Sequence, residues 1–492
     1  MERLAKLKPV ITFHLIVNVL IVLFITGASY YHVPFEGFRD RVIYFAHLLA
    51  LQTTVAGFLY FVSLSRWLFR IVFSVLFLIY CGFSFWAYSQ DISITPALIQ
   101  GVAETKPDIA IDIITWPFAV FYAVVIVALI GILKYYNRIE PRSGWRILIV
   151  PAFACVMLYF AMERSQYGIF NFRLPYNVIT GVHEYYEKPP LELNKRFPKF
   201  VKLRDSVKVV FVLGETVRAD HLGLNGYTRN TTELLSGRPG LISFPNLYTS
   251  KTVTATSVPQ ILTDQKLDDE FRPVTSVYDP AKLTGYHTVW IGNQTLEKSF
   301  LPITETNDEV ILLDKYRSVF SFDKELDEVM LKPMDSLLSE PQNQLITIHM
   351  IGSHWWYENR YTSEHRKFTP VIDSKYIPSL TKEQMINSYD NTIVYLDFFL
   401  NEIIKSLEEQ AVPTAMIYIS DHGELLGEDG RWLHAQKGEA LTNPAYMIWL
   451  SESYREKYPD TYRELIESKD DSLTTDSVYY TLLNILRARI SN

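Results

Sequence analysis

The sequence predicts a membrane-anchored protein with an N-terminal transmembrane domain of five helices (residues 1–162) and an α/β external domain (residues 207–492). Three observations support this. The chain has 492 residues, too many for one compact unit. Its apolar residues crowd the first third in stretches of about 20, the length that crosses a bilayer. From residue 207 onward, short apolar strand-like runs alternate with helical stretches, which favours a mostly parallel sheet covered on both faces.

The transmembrane domain rests on apolar stretches at roughly Val10–Tyr30, Val42–Leu64, Trp67–Tyr88, Ile114–Tyr136 and Trp145–Met162. A buried core helix is the alternative for any one of them, but so many with such short connections favour spans. A cleaved signal peptide is the alternative for the first stretch. Because no small-residue cleavage site interrupts it, we expect a retained span.

The distribution of Lys and Arg predicts the orientation of these spans, since basic residues flank the cytoplasmic ends. Most of them lie at the N-terminus and in the second and fourth connections: Arg3, Lys6, Lys8, Arg66, Arg70, Lys134, Arg138, Arg142 and Arg146. The first and third connections carry only Arg39, Arg41 and Lys106. The N-terminus is therefore predicted inside, and an odd number of spans places the chain after about Glu163 outside the cytoplasm.

A segment rich in aromatic and charged residues (163–206) joins the two domains. Such residues favour the lipid headgroup layer, so we expect interfacial linker helices here rather than an ordinary linker. The two cysteines, Cys81 and Cys155, both fall within spans. The external domain must therefore be held together by core burial without disulfides. The net charge of −7 predicts no nucleic-acid partner.

The external domain has five predicted strands: Val207–Leu213, His287–Ile291, Gln344–Ile351, Ala415–Ser420 and Tyr446–Leu450. Apolar residues at helical spacing predict a long helix over Lys382–Gln410. Ligands of parallel α/β sheets bind beyond the carboxyl ends of the strands, and polar motifs follow these strands closely.

Potential zinc ligands follow the first and fourth predicted strands. Glu215 follows the first strand after one glycine, and Asp421 and His422 follow the fourth strand directly. The next residue, Gly423, permits a turn there. Zinc is commonly bound by imidazole nitrogen and carboxylate oxygen. Two structural alternatives stay open at this point. Glu215 could cap the next helix, and Asp421 could pair with an arginine.

A Thr-rich turn, Thr249–Gln260, supplies hydroxyl groups for nucleophilic catalysis. Spacing alone does not choose among Thr252, Thr254, Thr256 and Ser257, and a polar loop that caps the next helix is the alternative. The histidines at 183, 221, 287, 349 and 365 are expected to be structural hydrogen-bonding groups.

Six motifs, in order along the chain, resemble those of the bacterial phosphoethanolamine transferases that modify lipid A and confer colistin resistance. This family belongs to the alkaline phosphatase/sulfatase superfamily. The motifs are GETVRADHLGLNGYTRNT, TATSVP, WIGNQ, HMIGSHWWYENRY, TKEQMINSYDNTIVYLD and SDHGELLGEDGRWLH. The resemblance covers nearly the whole chain and implies an alkaline phosphatase/sulfatase-like α/β/α sandwich for the external domain.

The resemblance also implies roles for individual residues. Thr254, five residues before the proline of its motif, would be the nucleophile. One tightly held Zn²⁺ would be bound by Glu215, Thr254, Asp421 and His422. The remaining implied residues would contact substrate, or in the case of the two histidines a weaker second metal: Thr105, Thr295, Lys298, His354 and His434.

The chain departs from the family pattern in two places. Ser250 and Gln260 stand where many members have a disulfide flanking the nucleophile turn. In the third connection Thr105 matches a lipid-contacting stretch, but Gly101 replaces a usual asparagine and Asp108 is one residue short of a usual acid.

The implied reaction transfers phosphoethanolamine from phosphatidylethanolamine, through a covalent threonine intermediate, to lipid A or the lipopolysaccharide core. The implied location is the bacterial inner membrane, with the catalytic domain in the periplasm. A phosphoglycerol transferase or phosphodiesterase of the same superfamily, with manganese possible in place of zinc, is the alternative. A sulfatase activity is disfavoured because no cysteine lies in the external domain. A transporter or receptor is disfavoured because few charges lie in the spans and the ligand set is complete.

Overall fold

The computed structural model describes residues 2–31, 37–90, 94, 98–99, 102, 115–139, 145–165, 168–187, 191–203, 205–267, 273–294, 296–313, 325–434 and 438–491. The chain divides into two compact units. The first consists of residues 1–103, 113–188 and 376–378, and the second of residues 104–112, 189–375 and 379–492.

Helices form the first unit: Glu2–Val17, Leu23–Ala28, Phe38–Ser63, Arg66–Leu68, Ser74–Gln90, Trp116–Arg138, Ile149–Ser165 and Tyr176–Glu187. Single π-helical turns, Asn18–Val22 and Phe69–Phe73, join two pairs of them into longer helices. In the described part of the chain, four helices are long and apolar enough to cross a membrane: Leu7–Ala28, Phe38–Ser63, Arg66–Ser89 and Trp116–Arg138.

The fifth predicted span, Trp145–Met162, is a 3₁₀ turn over Trp145–Leu148 that continues as the 17-residue α-helix Ile149–Ser165. Pro151 lies in the first turn of this helix, where its missing N–H and its ring work against an α-helical bond to residue 147. Its 17 α-helical residues are fewer than the 22 to 26 residues of the four candidate spans, and the count of five spans stays a prediction.

Close helix packing and a few polar contacts hold the first unit together. At Gly57, a Cβ would lie 2.8 Å from the carbonyl oxygen of Ala152 and 2.9 Å from Cβ of Cys155. The helix Phe38–Ser63 therefore lies directly against Ile149–Ser165. Tyr176, at the start of the linker helix Tyr176–Glu187, shares a 2.9 Å hydrogen bond with Thr54. That the linker lies in the headgroup layer stays a prediction.

The second unit is built on a seven-stranded sheet, with two small two-stranded pairs beside it. In chain order the strands are β1 (Lys208–Gly214), β2 (Leu241–Ser243), β3 (Leu247–Tyr248), β4 (His287–Gly292), β5 (Glu309–Leu312), β6 (Gln344–His349), β7 (Thr414–Ser420), β8 (Leu425–Leu426), β9 (Trp432–Leu433), β10 (Tyr446–Leu450) and β11 (Leu473–Thr474). The order in the main sheet is β2-β10-β7-β1-β6-β4-β5.

All five predicted strands are present in this sheet. β7, β1, β6, β4 and β5 are parallel, whereas β10 runs antiparallel to both β7 and β2. β2 and β5 escaped prediction because they have only three and four residues, and neither is buried throughout. The mostly parallel sheet that the sequence predicts is therefore confirmed, with an antiparallel edge.

Helices cover the sheet: Thr254–Leu262, Tyr278–Thr284, Leu301–Thr304, Leu331–Leu338, Lys382–Glu408, Glu452–Lys457, Pro459–Glu467 and Ser477–Ile485. Every residue of the central strand β1 is buried, as the parallel arrangement requires. The predicted long helix is Lys382–Glu408, which packs on β7. A capping box between Thr381 and Gln384 begins it, in agreement with the predicted start.

Candidate active site

The parallel pairing of β1 with β7 brings the two predicted acidic ligands together. Gly214, the last residue of β1, is in register with Ser420, the last residue of β7. The next residues, Glu215 and Asp421, therefore leave the sheet side by side, and the amide of Asp421 donates to the carbonyl of Gly214 at 3.2 Å. Both side chains are almost completely buried.

Hydrogen bonds orient the two carboxylates. Oδ1 of Asp421 accepts from the backbone amides of Thr216 (3.0 Å) and His422 (2.8 Å). Oε1 of Glu215 accepts from the Thr216 hydroxyl at 2.6 Å. Asp421 Oδ2 and Glu215 Oε2 are left to converge on the hydroxyl of Thr254, which donates at 2.7 Å and 3.1 Å respectively.

Thr254 is the first residue of the helix Thr254–Leu262, so its hydroxyl lies at the positive end of the helix dipole. Its side chain is half-buried. Thr256 instead turns back to the carbonyl of Val253 at 3.2 Å, and Ser257 is buried. Among the hydroxyls that spacing left open, the structure brings that of Thr254 to the two carboxylates.

His422 completes the cluster. Its Nε2 lies 3.3 Å from Asp421 Oδ2 and 3.6 Å from Glu215 Oε1. Its Nδ1 shares a 2.8 Å hydrogen bond with the carbonyl of Gly423, which leaves Nε2 as the nitrogen with a lone pair. Nε2 is buried and has no hydrogen-bond partner in the described part of the chain.

Gly423 has a different role from the predicted one. Its φ is not positive, so the backbone conformation does not demand glycine. A Cβ there would lie 2.1 Å from the carbonyl oxygen of Ala440. Glycine is required because a neighbouring loop packs directly against the backbone beside His422.

These side chains fit a metal ion. Ligand atoms of Glu215, Asp421 and His422 lie within 4.8 Å of one another. Tetrahedral zinc with bonds near 2.0–2.1 Å places its ligands about 3.3 Å apart, close to the separations seen here. Burial and the Asp421 carboxylate raise the pKa of Glu215, and burial lowers the pKa of His422. Two buried carboxylates beside a neutral imidazole call for a cation, and a metal ion held here would satisfy the uncompensated Nε2.

His354 and His434 form a second group with Glu215, again with ligand atoms within 4.8 Å. Burial lowers the pKa of His354 well below its ordinary value. Burial acts on His434 in the same sense, but the carboxylate of Glu424, 3.2 Å from Nδ1, outweighs it and raises the pKa of His434 to about 9. The two rings therefore lie side by side, their centroids 5.5 Å apart, with their pKa values shifted in opposite directions.

The remaining predicted substrate residues are less informative. Thr105 and Thr295 lie outside the described residues. Lys298 lies in the loop after β4, with its side chain exposed to solvent. Two of the histidines expected to be structural have structural partners: His221 pairs with Asp390 at 2.8 Å, and His349 with Gln294 at 2.7 Å.

Sequence reasoning missed two residues that shape the site. Oε1 of Glu424 lies 3.2 Å from Nδ1 of His434, and Oε2 accepts from the Tyr357 hydroxyl at 3.1 Å. The Tyr389 hydroxyl donates to the carbonyl of Thr216 at 2.8 Å and accepts from the amide of Arg218 at 3.0 Å, which fixes the loop after β1. Both lie inside motifs quoted above, which was the only signal that could have revealed them.

Comparison with known proteins identifies the domain that carries this site. A family model described as Sulfatase matches residues 208–486, more than half of the chain. The chain belongs to the Sulfatase family. The predicted membership of the alkaline phosphatase/sulfatase superfamily is thereby confirmed, and the metal-ligand cluster lies within the family domain.

Relatives of this Sulfatase-family chain include phosphoethanolamine transferase EptA of Escherichia coli K12, 32% identical over 297 residues. That alignment covers 56% of this chain and 52% of the relative, so the chain matches about half the length of this relative. The integral membrane protein lipooligosaccharide phosphoethanolamine transferase A (EptA) from Neisseria meningitidis has the same fold, with a TM-score of 0.79 at 22% identity over 97% of this chain and 95% of that one. The periplasmic domain of EptC from Escherichia coli, solved in complex with Zn, has a TM-score of 0.52 at 23% identity and covers 61% of this chain and 86% of that one.

Proposed function

We propose that the protein is a zinc-dependent transferase that moves phosphoethanolamine from phosphatidylethanolamine to lipid A or another lipopolysaccharide acceptor. One observation carries the proposal: the hydroxyl of Thr254 donates to both Asp421 and Glu215 at the start of a helix, beside the unpaired Nε2 of His422. The relatives that share this domain bear the name of that activity.

Thr254 is the proposed nucleophile. Its oxygen attacks the phosphorus of the donor, and the bond from phosphorus to the diacylglycerol oxygen breaks. Asp421 Oδ2, 2.7 Å from the hydroxyl, is proposed to take the threonine proton. The product of this step is a phosphoethanolamine ester on Thr254, which a hydroxyl or phosphate oxygen of the acceptor then attacks, returning the threonine oxygen as the leaving group.

Glu215, Thr254, Asp421 and His422 would hold one Zn²⁺ tightly, and a second, weaker ion would use His354 and His434. A bound zinc ion would lower the pKa of the Thr254 hydroxyl and offset negative charge on the phosphoryl oxygens.

The two histidines would serve the phosphoryl group. When no second ion is bound, burial lowers the pKa of His434 but the carboxylates led by Glu424 raise it to about 9, and the imidazolium is then proposed to give a proton to the departing diacylglycerol oxygen. His354, neutral and buried, can donate a hydrogen bond to a phosphoryl oxygen. Thr105, Thr295 and Lys298 are proposed to contact the donor lipid.

The proposed setting is the bacterial inner membrane, with five spans, an inside N-terminus and the catalytic domain in the periplasm. The apolar helices and the Lys and Arg distribution support it. Both substrates are lipids, and an anchored site raises their effective concentration.

Mass spectrometry tests the reaction and the nucleophile together. Lipopolysaccharide from bacteria expressing the wild-type chain should gain the mass of phosphoethanolamine, and the purified protein incubated with phosphatidylethanolamine should carry that group on the peptide with Thr254. Thr254→Ala should lose transfer by several orders of magnitude, whereas the matched control Thr256→Ala should retain most of it.

Several results would contradict the proposal. An adduct on Thr252 or Ser257, or acceptor modification by Thr254→Ala, would show that the nucleophile is wrong. A phosphoglycerol adduct when phosphatidylglycerol replaces phosphatidylethanolamine, with no adduct from the latter, would show a phosphoglycerol transferase instead. Release of free phosphoethanolamine without transfer would show a phosphodiesterase.

A further inference from the structure

Asp327 is a buried carboxylate that the mechanism does not use. It begins the 3₁₀ turn Asp327–Met330, outside the metal-ligand cluster, and only 2% of its surface is exposed. Its Oδ1 accepts from the amide of Ile351 at 2.9 Å and from Nδ2 of Asn293 at 3.0 Å. Its Oδ2 accepts from the amide of Gly352 at 2.9 Å. One side chain thus gathers N–H groups from the ends of two strands, β4 and β6.

The turn after β6, whose Ile351 and Gly352 amides donate to Asp327, lies directly against the backbone of Glu215. The amide of Ser353 donates to the carbonyl of Glu215 at 3.0 Å. A Cβ on Gly352 would lie 2.9 Å from that carbonyl oxygen and 3.0 Å from both the nitrogen and Cβ of Glu215. Any displacement of this turn therefore reaches the residue that supplies a metal ligand.

The same turn leads to His354, whose amide donates to the carbonyl of Ile351 at 3.2 Å. On the other side, the side chain of Asn293 donates to Asp327, and the backbone amide of Asn293 donates to the carbonyl of His349 at 3.0 Å. Asn293 precedes the loop that carries Lys298. The Asp327 carboxylate therefore hydrogen-bonds to the backbone turn that holds Glu215 and leads to His354, and also to Asn293 at the start of the loop after β4.

We infer that Asp327 is a positioning residue that sets Glu215 and His354 in the geometry needed for metal binding and transfer. The inference rests on the proposed function for its catalytic part and on the metal-ligand cluster for its binding part. A carboxylate is needed because the donors approach both oxygens. The amide of an asparagine has one acceptor oxygen, and its NH₂ group would face one of the backbone N–H donors. That N–H would then lose its hydrogen bond.

The test compares Asp327→Asn with Asp335→Asn in the full-length, detergent-solubilised protein. Asp335 is an exposed carboxylate in the helix Leu331–Leu338, so its variant makes the same chemical change outside the cap. Three measurements apply to each variant: Zn²⁺ affinity by competition with a chelating dye, the visible absorption spectrum of the Co²⁺-loaded protein, and kcat and KM for phosphatidylethanolamine.

Asp327→Asn should bind Zn²⁺ about 10–100-fold more weakly, change the Co²⁺ ligand-field bands and lower kcat more than it raises KM. Asp335→Asn should match the wild type in all three measurements. Asp327→Glu, which keeps the charge but moves it by one methylene, should also weaken metal binding, and it replaces the amide variant if that one does not fold.

Wild-type Zn²⁺ affinity and a wild-type Co²⁺ spectrum in the folded Asp327 variants would overturn the inference, whatever their stability, because they would make the residue a purely structural cap. A wild-type protein that binds Zn²⁺ but transfers no phosphoethanolamine would refute the proposed function instead. The metal measurements would then still decide the role of Asp327 in binding.

Discussion

Replacing Gly352 by alanine should disturb the metal site through the backbone alone. Gly352 has a φ of +49°, a conformation that L-residues adopt at a cost of about 1–2 kcal/mol. Its Cβ would also meet Glu215 atoms at 2.9–3.0 Å. Gly237 is a matched control, because its φ is +78° but a Cβ there would have nothing within 4 Å.

The expected magnitudes follow from these distances. Both variants should lose about 1–2 kcal/mol of unfolding free energy from the backbone conformation. In Gly352→Ala, restoring ordinary contact at 3.4 Å from 2.9 Å requires a shift of about 0.5 Å (3.4 − 2.9). Metal–ligand distances tolerate only about ±0.2 Å. We therefore expect a 10–100-fold loss of Zn²⁺ affinity in Gly352→Ala and none in Gly237→Ala.

Chelator competition and thermal unfolding of both variants measure the two effects separately. Unaltered Zn²⁺ affinity in Gly352→Ala would refute the reasoning, because it would show that the turn can move without moving Glu215. Equal losses of affinity in the two variants would refute it too, because the effect would then follow from general destabilisation.

Other predictions concern neighbouring parts of the catalytic domain. Burial lowers the pKa of His434, but the nearby carboxylates, Glu424 foremost, raise it from 6.5 to about 9, so metal-free protein should have this stabilisation in full below pH 6.5 and lose it as the pH rises through 9. Glu424→Gln should flatten that part of the profile of unfolding temperature against pH. Thr475→Val should destabilise the protein by about 1–3 kcal/mol in chemical denaturation, because it removes the donor to the buried Gln260 side chain at 2.7 Å, and adding Gln260→Leu should recover most of the loss. Lys298→Ala should raise KM for phosphatidylethanolamine several-fold and leave metal content unchanged, since the proposed role of this exposed cation is to attract the phosphate and not to bind the metal.

The sheet could be predicted because buried parallel strands are continuous apolar runs bounded by turns. Val207–Leu213 differs from the observed Lys208–Gly214 by one residue at each end. The short edge strands Leu241–Ser243 and Glu309–Leu312 lack this signal, since they are partly exposed and pair with one neighbour each. Strand-end reasoning also placed Glu215 and Asp421 at one edge of the sheet, because parallel strands end at the same edge, whereas the pairing of β1 with β7 that makes them neighbours is seen only in the structure.

The finer features of the site depend on long-range contacts that no local pattern records. Spacing alone left the hydroxyl open among Thr252, Thr254, Thr256 and Ser257, and only the resemblance to the family motif selected Thr254. The structure favours Thr254 because the helix Thr254–Leu262 begins there and turns this side chain toward the two carboxylates. Asp327 is separated by 24 residues from the Ile351 amide that it accepts from, and its neighbours look like an ordinary helix start.

The pairing of β1 with β7 has a consequence for when the protein acquires its metal. Glu215 and Asp421 are separated by more than 200 positions along the chain, and Thr254 reaches them only when the helix it begins has packed on the finished sheet. A chain still passing through a translocation pore therefore presents isolated carboxylates and an isolated imidazole, none of which holds an ion tightly. On the topology and zinc dependence proposed above, the ion would be captured after export, so the periplasmic supply of zinc and not the cytoplasmic one would limit how much of the protein becomes active.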